Sequence, residues 1–303
     1  MKSKNNFPLV SIVIPTKDRE TKLQRLLKSL DVLTYPKNKI EIIVINNGSE
    51  FKSILNNVKI IQNNNNTGLA NARNQGAELA KGKYVLFIDD DNEADEYMIT
   101  ELVNTLEHHQ NILAVGPLTF YKSNKKKIWF AGSRVNMLTT IPWFRRSFSQ
   151  DELIKGSLLL TENLHNCFML RKNQGQALGW FDKNVFMSGT EFDLFQRMKK
   201  KQPQFILTTN VSAICYHNVP EFQSNLLRSL GFDNKQRVYY FQRNRGLHIG
   251  KYGKWYHKAF LFLVMYPIFL VGYSLLFLGY GRWDFIKEHG KATVAGYYYL
   301  IKG

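Results

Sequence analysis

Short apolar runs and helical periods alternate along the N-terminal part of this chain. The runs at residues 10–15, 40–45 and 84–88 are continuous and β-favouring, which is typical of strands buried on both faces. Between them, residues 20–33 and 69–80 place apolar side chains every three or four positions, the period of an amphipathic helix. Strands that alternate with helices at this spacing predict a parallel sheet within an α/β layer.

The same two patterns predict further elements along the chain. Residues 135–157 fit neither period, and their aromatic and basic sequence is typical of an exposed loop. The remaining predicted helices lie at 96–108, 191–200 and 226–248, the last of them broken near Gly231. The remaining strands are predicted at 58–62, 114–121, 127–131, 168–170 and 205–215.

One segment near the C-terminal end is apolar throughout. Residues 259–280 contain no charged side chain, and about 20 apolar residues suffice to span a bilayer. A spanning helix, a hairpin lying in one leaflet and a buried core helix all fit this composition. Pro267 interrupts the segment, and basic residues such as Lys254 and Lys287 flank both of its ends, where they can contact anionic headgroups of one leaflet. These features favour the hairpin.

Composition narrows the classes of partner. The chain has 303 residues, 44% of them hydrophobic, which is enough for one large domain with an appendage. The formal net charge of +17 favours an anionic partner, but no zinc-finger spacing or RNA-recognition signature supports nucleic acid, so we expect none. Cys167 and Cys215 are too few for a disulfide framework, which favours a reducing compartment. The polar, basic start predicts no signal peptide.

Three consecutive carboxylates, Asp89, Asp90 and Asp91, follow the buried run at 84–88. Adjacent acids repel one another and stabilise no core, but hard divalent cations bind carboxylate oxygens. Ligands of open α/β sheets bind outside the carboxyl ends of the strands, where these acids stand. A solvated acidic turn is the alternative. Their position favours a site for Mn²⁺ or Mg²⁺ shared with substrate phosphates.

Four motifs occur together in an order that is specific for one family. They are VSIVIPT at 10–16, NNGS at 46–49, NTGLANARN at 66–74 and DDDN at 89–92. With them, residues 8–245 resemble the family 2 glycosyltransferases. The resemblance implies the GT-A fold, an α/β nucleotide-sugar-binding fold whose mostly parallel sheet is flanked by helices. In this chain we expect an apolar, membrane-associated helical segment to follow it.

The resemblance also implies which residues hold the donor, a nucleotide-diphospho-sugar. The last acid of the family's triplet contacts the metal, so Asp91 is the implied ligand, together with Asp89 and His217. For His217 a purely structural role is the alternative. The family often has an acid at the position of Asn47, so the nucleotide stays open. The implied donor-binding residues are Pro15, Thr16, Asn47, Gly68, Asn71, Arg73, Asp89 and Asp90.

On the acceptor side, residues 188–194 resemble the family's acidic motif before a helix. Aligning this motif on Asp193 places Glu191 where the family has its catalytic base, so both residues are candidates for catalysis. Inverting transfer needs a carboxylate that takes a proton from the acceptor hydroxyl, and Glu191 can do this. The alternative is that the two acids only stabilise a helix N-terminus.

Three more residues match family positions near the acceptor or the diphosphate. Trp180 matches a tryptophan that commonly lines the acceptor pocket, with a core tryptophan as the alternative. Arg243 and Arg245 lie in a stretch that resembles the family's Tyr-Tyr and Arg-Asn pattern, and arginines bind phosphate oxygens in pairs of hydrogen bonds. A solvated basic face is the alternative for these two.

We therefore expect a metal-dependent, inverting glycosyltransferase of the hexosyltransferase type on the cytoplasmic face of a membrane. Its expected acceptor is a lipid-linked glycan or a polyprenyl phosphate. A soluble enzyme acting on a protein or soluble glycan and a catalytically degenerate membrane scaffold are the alternatives. The expected organisation is a catalytic domain at 1–250, with halves at about 8–120 and 121–250, and a membrane-associated region at 251–303.

Overall fold

The computed structural model describes residues 7–146, 157–221 and 226–303. Residues 147–156 of the predicted loop at 135–157 therefore lie outside the described residues. The described part includes a short strand, Pro142–Phe144, so the prediction of a loop there is wrong. The described strands are β1 (Val10–Thr16), β2 (Ile40–Asn46), β3 (Val58–Gln62), β4 (Tyr84–Ile88), β5 (Asn92–Ala94), β6 (Ile112–Tyr121), β7 (Ile128–Phe130), β8 (Ser133–Val135), β9 (Pro142–Phe144), β10 (Leu158–Thr161), β11 (Cys167–Arg171) and β12 (Ile206–His217). The described helices are α1 (Glu20–Asp31), α2 (Leu69–Leu79), α3 (Met98–His108), α4 (Lys172–Ala177), α5 (Thr190–Lys201), α6 (Leu226–Ser229), α7 (Lys235–Tyr252), α8 (Trp255–Phe260), α9 (Tyr266–Gly279) and α10 (Trp283–Lys302).

Most of the described strands form one sheet, in the order β10-β12-β6-β11-β4-β1-β2-β3. Strand β1 pairs in parallel with β2 and β4, and β2 pairs in parallel with β3. Strand β11 runs antiparallel between β4 and β6. The predicted α/β fold with a mostly parallel sheet is confirmed. Because β1, β2 and β4 point the same way, the residues that follow them meet at one edge of the sheet.

Both faces of the sheet are covered, which explains the continuous apolar runs. Successive strand residues point to opposite faces. In β1, Ile12 and Ile14 belong to the same buried cluster as Leu23 of α1. Val13, between them, belongs to a second cluster with Ala77 of α2. Helices on both faces therefore bury every residue of β1, and they hold its carboxyl end in place.

Helices α7 to α10 form a layer of their own, here called the C-terminal helical layer. Helices α7 and α10 approach closely at Gly246, where a Cβ atom would lie 2.0 Å from the carbonyl oxygen of Gly296. Helix α10 returns antiparallel along the preceding helix, since the Tyr297 hydroxyl donates a hydrogen bond to the Phe262 carbonyl at 3.1 Å. The layer thus packs across the predicted boundary at residue 250, and the division of the chain there stays a prediction.

The apolar segment forms one helix over Trp255–Gly279, so the predicted hairpin with a break at Pro267 is wrong. A π-helical turn, Leu261–Met265, comes directly before Pro267, which lies in the first turn of α9. The wider π-helical turn before the pyrrolidine ring accommodates the proline within the continuous helix. Only 28% of the most apolar stretch of this helix is buried, and side chains such as Leu263 and Leu275 are exposed.

Candidate active site

The candidate site lies at the edge of the sheet where β1, β2 and β4 end. The hydroxyl of Thr16, the last residue of β1, donates a hydrogen bond to Oδ2 of Asp90 at 2.7 Å. Burial, followed by the neighbouring Asp91 carboxylate, raises the pKa of Asp90 to about 6. The strand end therefore holds a carboxyl group that is poorly solvated and close to a like charge.

Asp91 lies among basic side chains from two parts of the chain. Nη1 of Arg19 and Nζ of Lys22, at the start of α1, each lie 3.2 Å from Asp91 Oδ2. Nε2 of His217, at the end of β12, lies 3.2 Å from the other oxygen, Oδ1. Burial alone would raise the pKa of Asp91, but these three neighbours hold it well below its usual range. Asp91 is therefore ionised at neutral pH.

Asp91 and His217 fit a divalent cation that substrate phosphates complete. In the part of the chain that the structure describes, no group of three or more His, Cys, Asp or Glu side chains could hold a metal ion by itself. Mg²⁺ is usually bound by one or two carboxylates plus phosphate oxygens and water, so a smaller set suffices. Nδ1 of His217 is buried and has no hydrogen-bond partner among the described residues. Asp89, the third predicted ligand, is engaged by Arg73.

Arg73 on α2 connects the two halves of the site. It is fully buried, and its Nη2 lies 2.9 Å from Asp89 Oδ1, while its Nη1 lies 2.8 Å from Glu191 Oε1. Nη1 also donates to the Thr190 hydroxyl at 3.0 Å. The structure thus places Arg73 beneath the site, as a bridge between two carboxylates. Its predicted contact with the donor stays a prediction.

Glu191, in the first turn of α5, is 6% exposed. Its Oε2 accepts a hydrogen bond from the Thr190 hydroxyl at 2.8 Å. Burial would raise the pKa of Glu191, but Arg73, followed by His165 and the hydrogen bonds, lowers it to about 2. Glu191 is therefore a buried carboxylate that stays ionised at neutral pH.

Asp193 points away from Glu191 and makes contacts within the fold. Its Oδ1 lies 3.0 Å from Nζ of Lys251 and accepts a hydrogen bond from the Tyr252 hydroxyl at 2.6 Å. Its Oδ2 lies 2.9 Å from Nε of Arg197. These contacts tie α5 to the end of α7. Asp193 lines neither of the cavities described next, so its observed contacts are structural.

Two adjoining cavities meet at the sheet edge. One cavity, of about 290 Å³, lies over the ends of β1 and β2, and the other, of about 370 Å³, lies beside α5 and α7. They are here called the donor cavity and the acceptor cavity after the predicted residues that line them. Asp89 lines both cavities, as does Arg237 of α7. Glu191 lines the acceptor cavity. The two carboxylates that Arg73 joins therefore face the junction of the cavities.

Most of the predicted donor residues line the donor cavity. Arg73 and Asn71 do not, and the Asn71 amide instead donates to the Thr67 carbonyl at 2.8 Å. Those that line it are Pro15, Thr16, Asn47, Gly68, Asp89 and Asp90.

The predicted acceptor residues separate into two groups. Trp180 is 4% exposed, and a Cβ atom on Gly175 would lie 2.0 Å from its ring, so it fills the core rather than a cavity. Arg243 bonds to Asn244 Oδ1 through two of its nitrogens, at 2.9 and 2.6 Å, and also lines neither cavity. Arg245 does line the acceptor cavity.

Sequence reasoning missed several residues of the site. Arg19 and Lys22 follow β1, whose neighbour β4 is followed by three acids. Basic residues in this position could have been predicted to pair with those acids. His165 and His248 line the acceptor cavity but stand alone in the sequence, so no pattern marks them. The ring of His248 fits because Gly189, at φ 87°, has no Cβ, which would lie 2.3 Å from it.

Comparison with known sequences identifies a family. The family model described as Glycosyl transferase family 2 matches residues 11–174. Glycosyltransferase AglE of Haloferax volcanii is 29% identical over 111 residues, which are 34% of this chain and 36% of that protein. The glucosyl-dolichyl phosphate glucuronosyltransferase of the same organism is 32% identical over 115 residues, 35% of this chain and 37% of that protein. Each match spans little more than a third of the relative.

Comparison with solved structures identifies the fold. The crystal structure of GalNAc-T7 with UDP, GalNAc and Mn²⁺ gives a TM-score of 0.59 at 17% identity, over 88% of this chain and 58% of that one. The mannosyltransferase PcManGT from Pyrobaculum calidifontis, in complex with GDP-Man and Mn²⁺, gives 0.54 at 14% identity, over 98% of this chain and 86% of that one. These similarities confirm the predicted GT-A fold.

Proposed function

The chain belongs to glycosyl transferase family 2, and from this premise we propose that it moves a sugar from a nucleotide-diphospho-sugar to an acceptor hydroxyl, with inversion at the anomeric carbon. The observation that carries this proposal is the double ion pair of Arg73, which joins Asp89 of the donor cavity to Glu191 of the acceptor cavity. Donor and acceptor must meet where the new bond forms. Two cavities that share Asp89 provide such a meeting point.

Glu191 is the group that accepts the proton. Its Oε1 is held by Arg73, while Oε2 accepts the Thr190 hydroxyl and keeps a further lone pair. The acceptor oxygen forms a bond to the anomeric carbon, its proton passes to Glu191, and the bond between that carbon and the nucleoside diphosphate breaks. Because a carboxylate with a pKa of about 2 is a weak base, the proton moves as the new C–O bond forms rather than before it.

Asp91 and His217 line neither cavity, but Asp91 contacts Arg19 of the donor cavity. From this position the two side chains would hold a divalent cation, Mn²⁺ or Mg²⁺, beside the donor. When bound, the cation neutralises charge on the diphosphate as it leaves. Arg19 lines the donor cavity and Lys22 follows it on α1, so both can turn from Asp91 toward phosphate oxygens. Asp90 and Thr16, hydrogen-bonded to each other, form the adjoining wall for the nucleoside.

The acceptor is a lipid-linked glycan at the cytoplasmic face of a membrane, which carries the hydroxyl whose proton Glu191 takes. A polyprenyl phosphate, the other predicted acceptor, would instead attack through a phosphate oxygen that is already ionised and needs no base. The helix Trp255–Gly279 is long and apolar enough to cross a bilayer, and only 28% of its most apolar stretch is buried. The net charge of +17 favours anionic headgroups. A relative's name, glucosyl-dolichyl phosphate glucuronosyltransferase, refers to an acceptor of this class.

A thermal-shift screen of nucleotide sugars, with and without Mn²⁺, tests the donor side. A ligand that binds the folded state raises its stability by RT ln(1 + [L]/Kd), about 2.7 kcal/mol at a hundredfold excess over Kd. We expect one nucleotide sugar to stabilise the protein in a Mn²⁺-dependent way and to be hydrolysed slowly. If no nucleotide sugar shifts the transition or is hydrolysed, the transferase proposal fails.

Membrane fractionation of the full chain tests the location. We expect the protein in the membrane fraction, released by detergent. Complete recovery in the soluble fraction without detergent would contradict the membrane proposal and leave a soluble acceptor.

A further inference from the structure

Arg245, on α7, is a buried cation whose charge is unbalanced. It is 6% exposed, and its one hydrogen-bond partner within the described residues is the Thr140 hydroxyl. Its Nε is buried without any partner, and none of the described acids lies within ion-pair distance of its guanidinium. A guanidinium cannot escape this cost by losing its proton. A buried charge without a partner is strongly unfavourable unless a ligand completes it.

The other buried arginines of the described residues have more partners within the fold than Arg245 has. Arg243 also lacks an acid, but it donates hydrogen bonds to Asn244 Oδ1 and to the Asn184 carbonyl. Arg73 faces two carboxylates. Arg171 donates to the backbone carbonyls of three residues, Leu106, His109 and Ile112. These partners satisfy the charge within the fold. Arg245 instead lies over aromatic rings, 4.7 Å from the centroid of Phe241 and 4.0 Å from that of Phe269. Rings attract a cation but leave its N–H donors free.

The position of Arg245 connects the acceptor cavity to the apolar helix. Arg245 lines that cavity. Phe269, over which it lies, belongs to α9, part of the apolar helix whose exposed side chains include Leu263 and Leu275. His248, one turn along α7, lines the same cavity, and its Nε2 is buried without a partner. Much of the remaining wall is apolar: Val135, Met137, Pro142, Phe144, Phe241 and Ile249. Besides the carboxylates of Asp89 and Glu191, the cavity therefore combines apolar walls with an unpaired cation.

We propose that Arg245 binds the phosphate of a prenyl-type lipid acceptor, whose chain runs along α9 while its acceptor hydroxyl or sugar extends toward Glu191. Phosphate supplies the oxygens that pair with a guanidinium through two hydrogen bonds. The apolar walls and the adjoining helix select an anion attached to a lipid over a free one. This assignment rests on the proposed transferase function and narrows its acceptor to an anionic lipid.

Equilibrium binding to the detergent-solubilised full chain tests the assignment. The probes are geranyl phosphate, geraniol and inorganic phosphate, measured by calorimetry. We expect geranyl phosphate to bind at least tenfold more tightly than either other probe. Arg245→Gln should weaken geranyl phosphate binding on the order of 10–100-fold, the effect of losing hydrogen bonds to a charged group, and leave geraniol binding unchanged. Arg245→Lys, which keeps the charge, should recover part of the loss.

The matched control is Arg25→Gln, which removes one positive charge from α1 outside both cavities and should bind all three probes like the wild type. Equal affinity of wild type and Arg245→Gln for geranyl phosphate overturns the assignment. If Arg245→Gln does not fold, equal affinity of the wild type for geranyl phosphate and geraniol overturns it too. Tighter binding of inorganic phosphate than of geranyl phosphate would overturn the proposal that the bound phosphate belongs to a lipid. Donor hydrolysis by the wild type reports separately on the transferase function.

Discussion

Two regions differ in how they balance charge: the edge of the sheet where β1, β2 and β4 end, here called the donor edge, and the wall of the acceptor cavity that α7 forms, here called the helical wall. At the donor edge, each acid of the triplet 89–91 meets a cation from α2 or from the start of α1. In the helical wall, Arg245 meets one hydroxyl and two rings, and no acid among the described residues. The first region is neutralised within the fold, and the second keeps a charge without a partner.

The difference indicates how each region meets its ligand. A cation or a diphosphate reaching the donor edge has to exchange with ion pairs that are already formed, so donor affinity depends on competition. An anion that reaches Arg245 displaces no acid, so its binding relieves an existing penalty. Substitutions at the two regions should therefore affect ligand binding and catalysis in different ways.

The largest effect is expected at Glu191, where the two regions meet. Glu191→Gln keeps the shape of the side chain and removes the proton acceptor. A positioned base contributes ~10²–10⁴-fold, so turnover should fall by this amount while donor affinity stays nearly unchanged. Steady-state kinetics together with donor binding in Mn²⁺ would show this separation.

Asp193→Asn is the matched comparison for this prediction. Asp193 is bonded to Lys251, Arg197 and Tyr252, so its loss should lower the free energy of unfolding by about 1–3 kcal/mol, with turnover retained. Urea unfolding measures the first quantity. If Asp193→Asn abolishes turnover and Glu191→Gln does not, the catalytic base has been assigned to the wrong acid.

The next effect concerns the cation at the donor edge. Asp91→Ala removes the carboxylate that faces His217, Arg19 and Lys22. We expect loss of Mn²⁺ stimulation and a fall in Mn²⁺ affinity of at least ~10–100-fold, the range for outer partners of a metal site. Titration of activity against Mn²⁺ measures it. Normal turnover of the variant at the Mn²⁺ concentration of the wild type would show that Asp91 is not a ligand.

A smaller effect, on stability, is expected where α7 and α10 approach closely at Gly246. Gly246→Ala brings a Cβ to 2.0 Å from the Gly296 carbonyl oxygen, so α7 and α10 must separate. Overpacking of this kind costs about 1–3 kcal/mol. Gly279→Ala on α9 meets nothing within 4 Å and should be neutral or slightly stabilising. Thermal unfolding of the two variants compares them directly, and equal melting temperatures would mean that the close contact is absent.

The smallest effect is a shift in pH dependence. The pKa of Glu191 is lowered from 4.5 to about 2, so protonation of Glu191 should not reduce the rate above about pH 4. Thr190→Val removes a hydrogen bond that lowers this pKa, so the acidic limb of the pH–rate profile should move to higher pH. Thr100→Val on α3 is the control. If the acidic limb of Thr190→Val is unchanged, protonation of Glu191 is not the event that causes this limb.

The same depressed pKa affects stability. A carboxyl group whose pKa is lower in the folded state stabilises that state above its unfolded pKa, and this contribution disappears as the pH falls through the folded value. For Glu191 the window runs from about pH 4.5 down to about pH 2. Thr190→Val narrows this window, so its acid unfolding should depend less steeply on pH.

The sheet and its helices were predictable because their signals are local. Strands β1 and β4 are buried on both faces, so their apolar runs are continuous, and α1 shows its period in Leu23, Leu27 and Leu30. Strand β5, Asn92–Ala94, was missed because it is short and its pairing with β12 leaves no period. The continuous helix through Pro267 was missed because a π-helical turn accommodates the proline, which no propensity records.

The candidate site was partly predictable. The three acids at the end of β4 and the residues over β1 lie together because parallel strands end at one edge. Trp180 and Asp193 matched a family pattern, yet the structure places them in the core and in an ion-paired cluster. Spacing along the chain cannot tell which side of a helix or turn a residue presents to its neighbours.

The sequence by itself determined the sheet, the acidic strand end and the apolar character of residues 259–280, because burial and backbone preference act over a few neighbouring residues. Only the tertiary structure decided which charges meet. Arg73 faces Asp89 and Glu191, from elements far apart in the chain, while Arg245 faces no acid among the described residues. Ion pairing depends on distances of a few ångströms between side chains, and the fold sets these distances once distant segments have packed together.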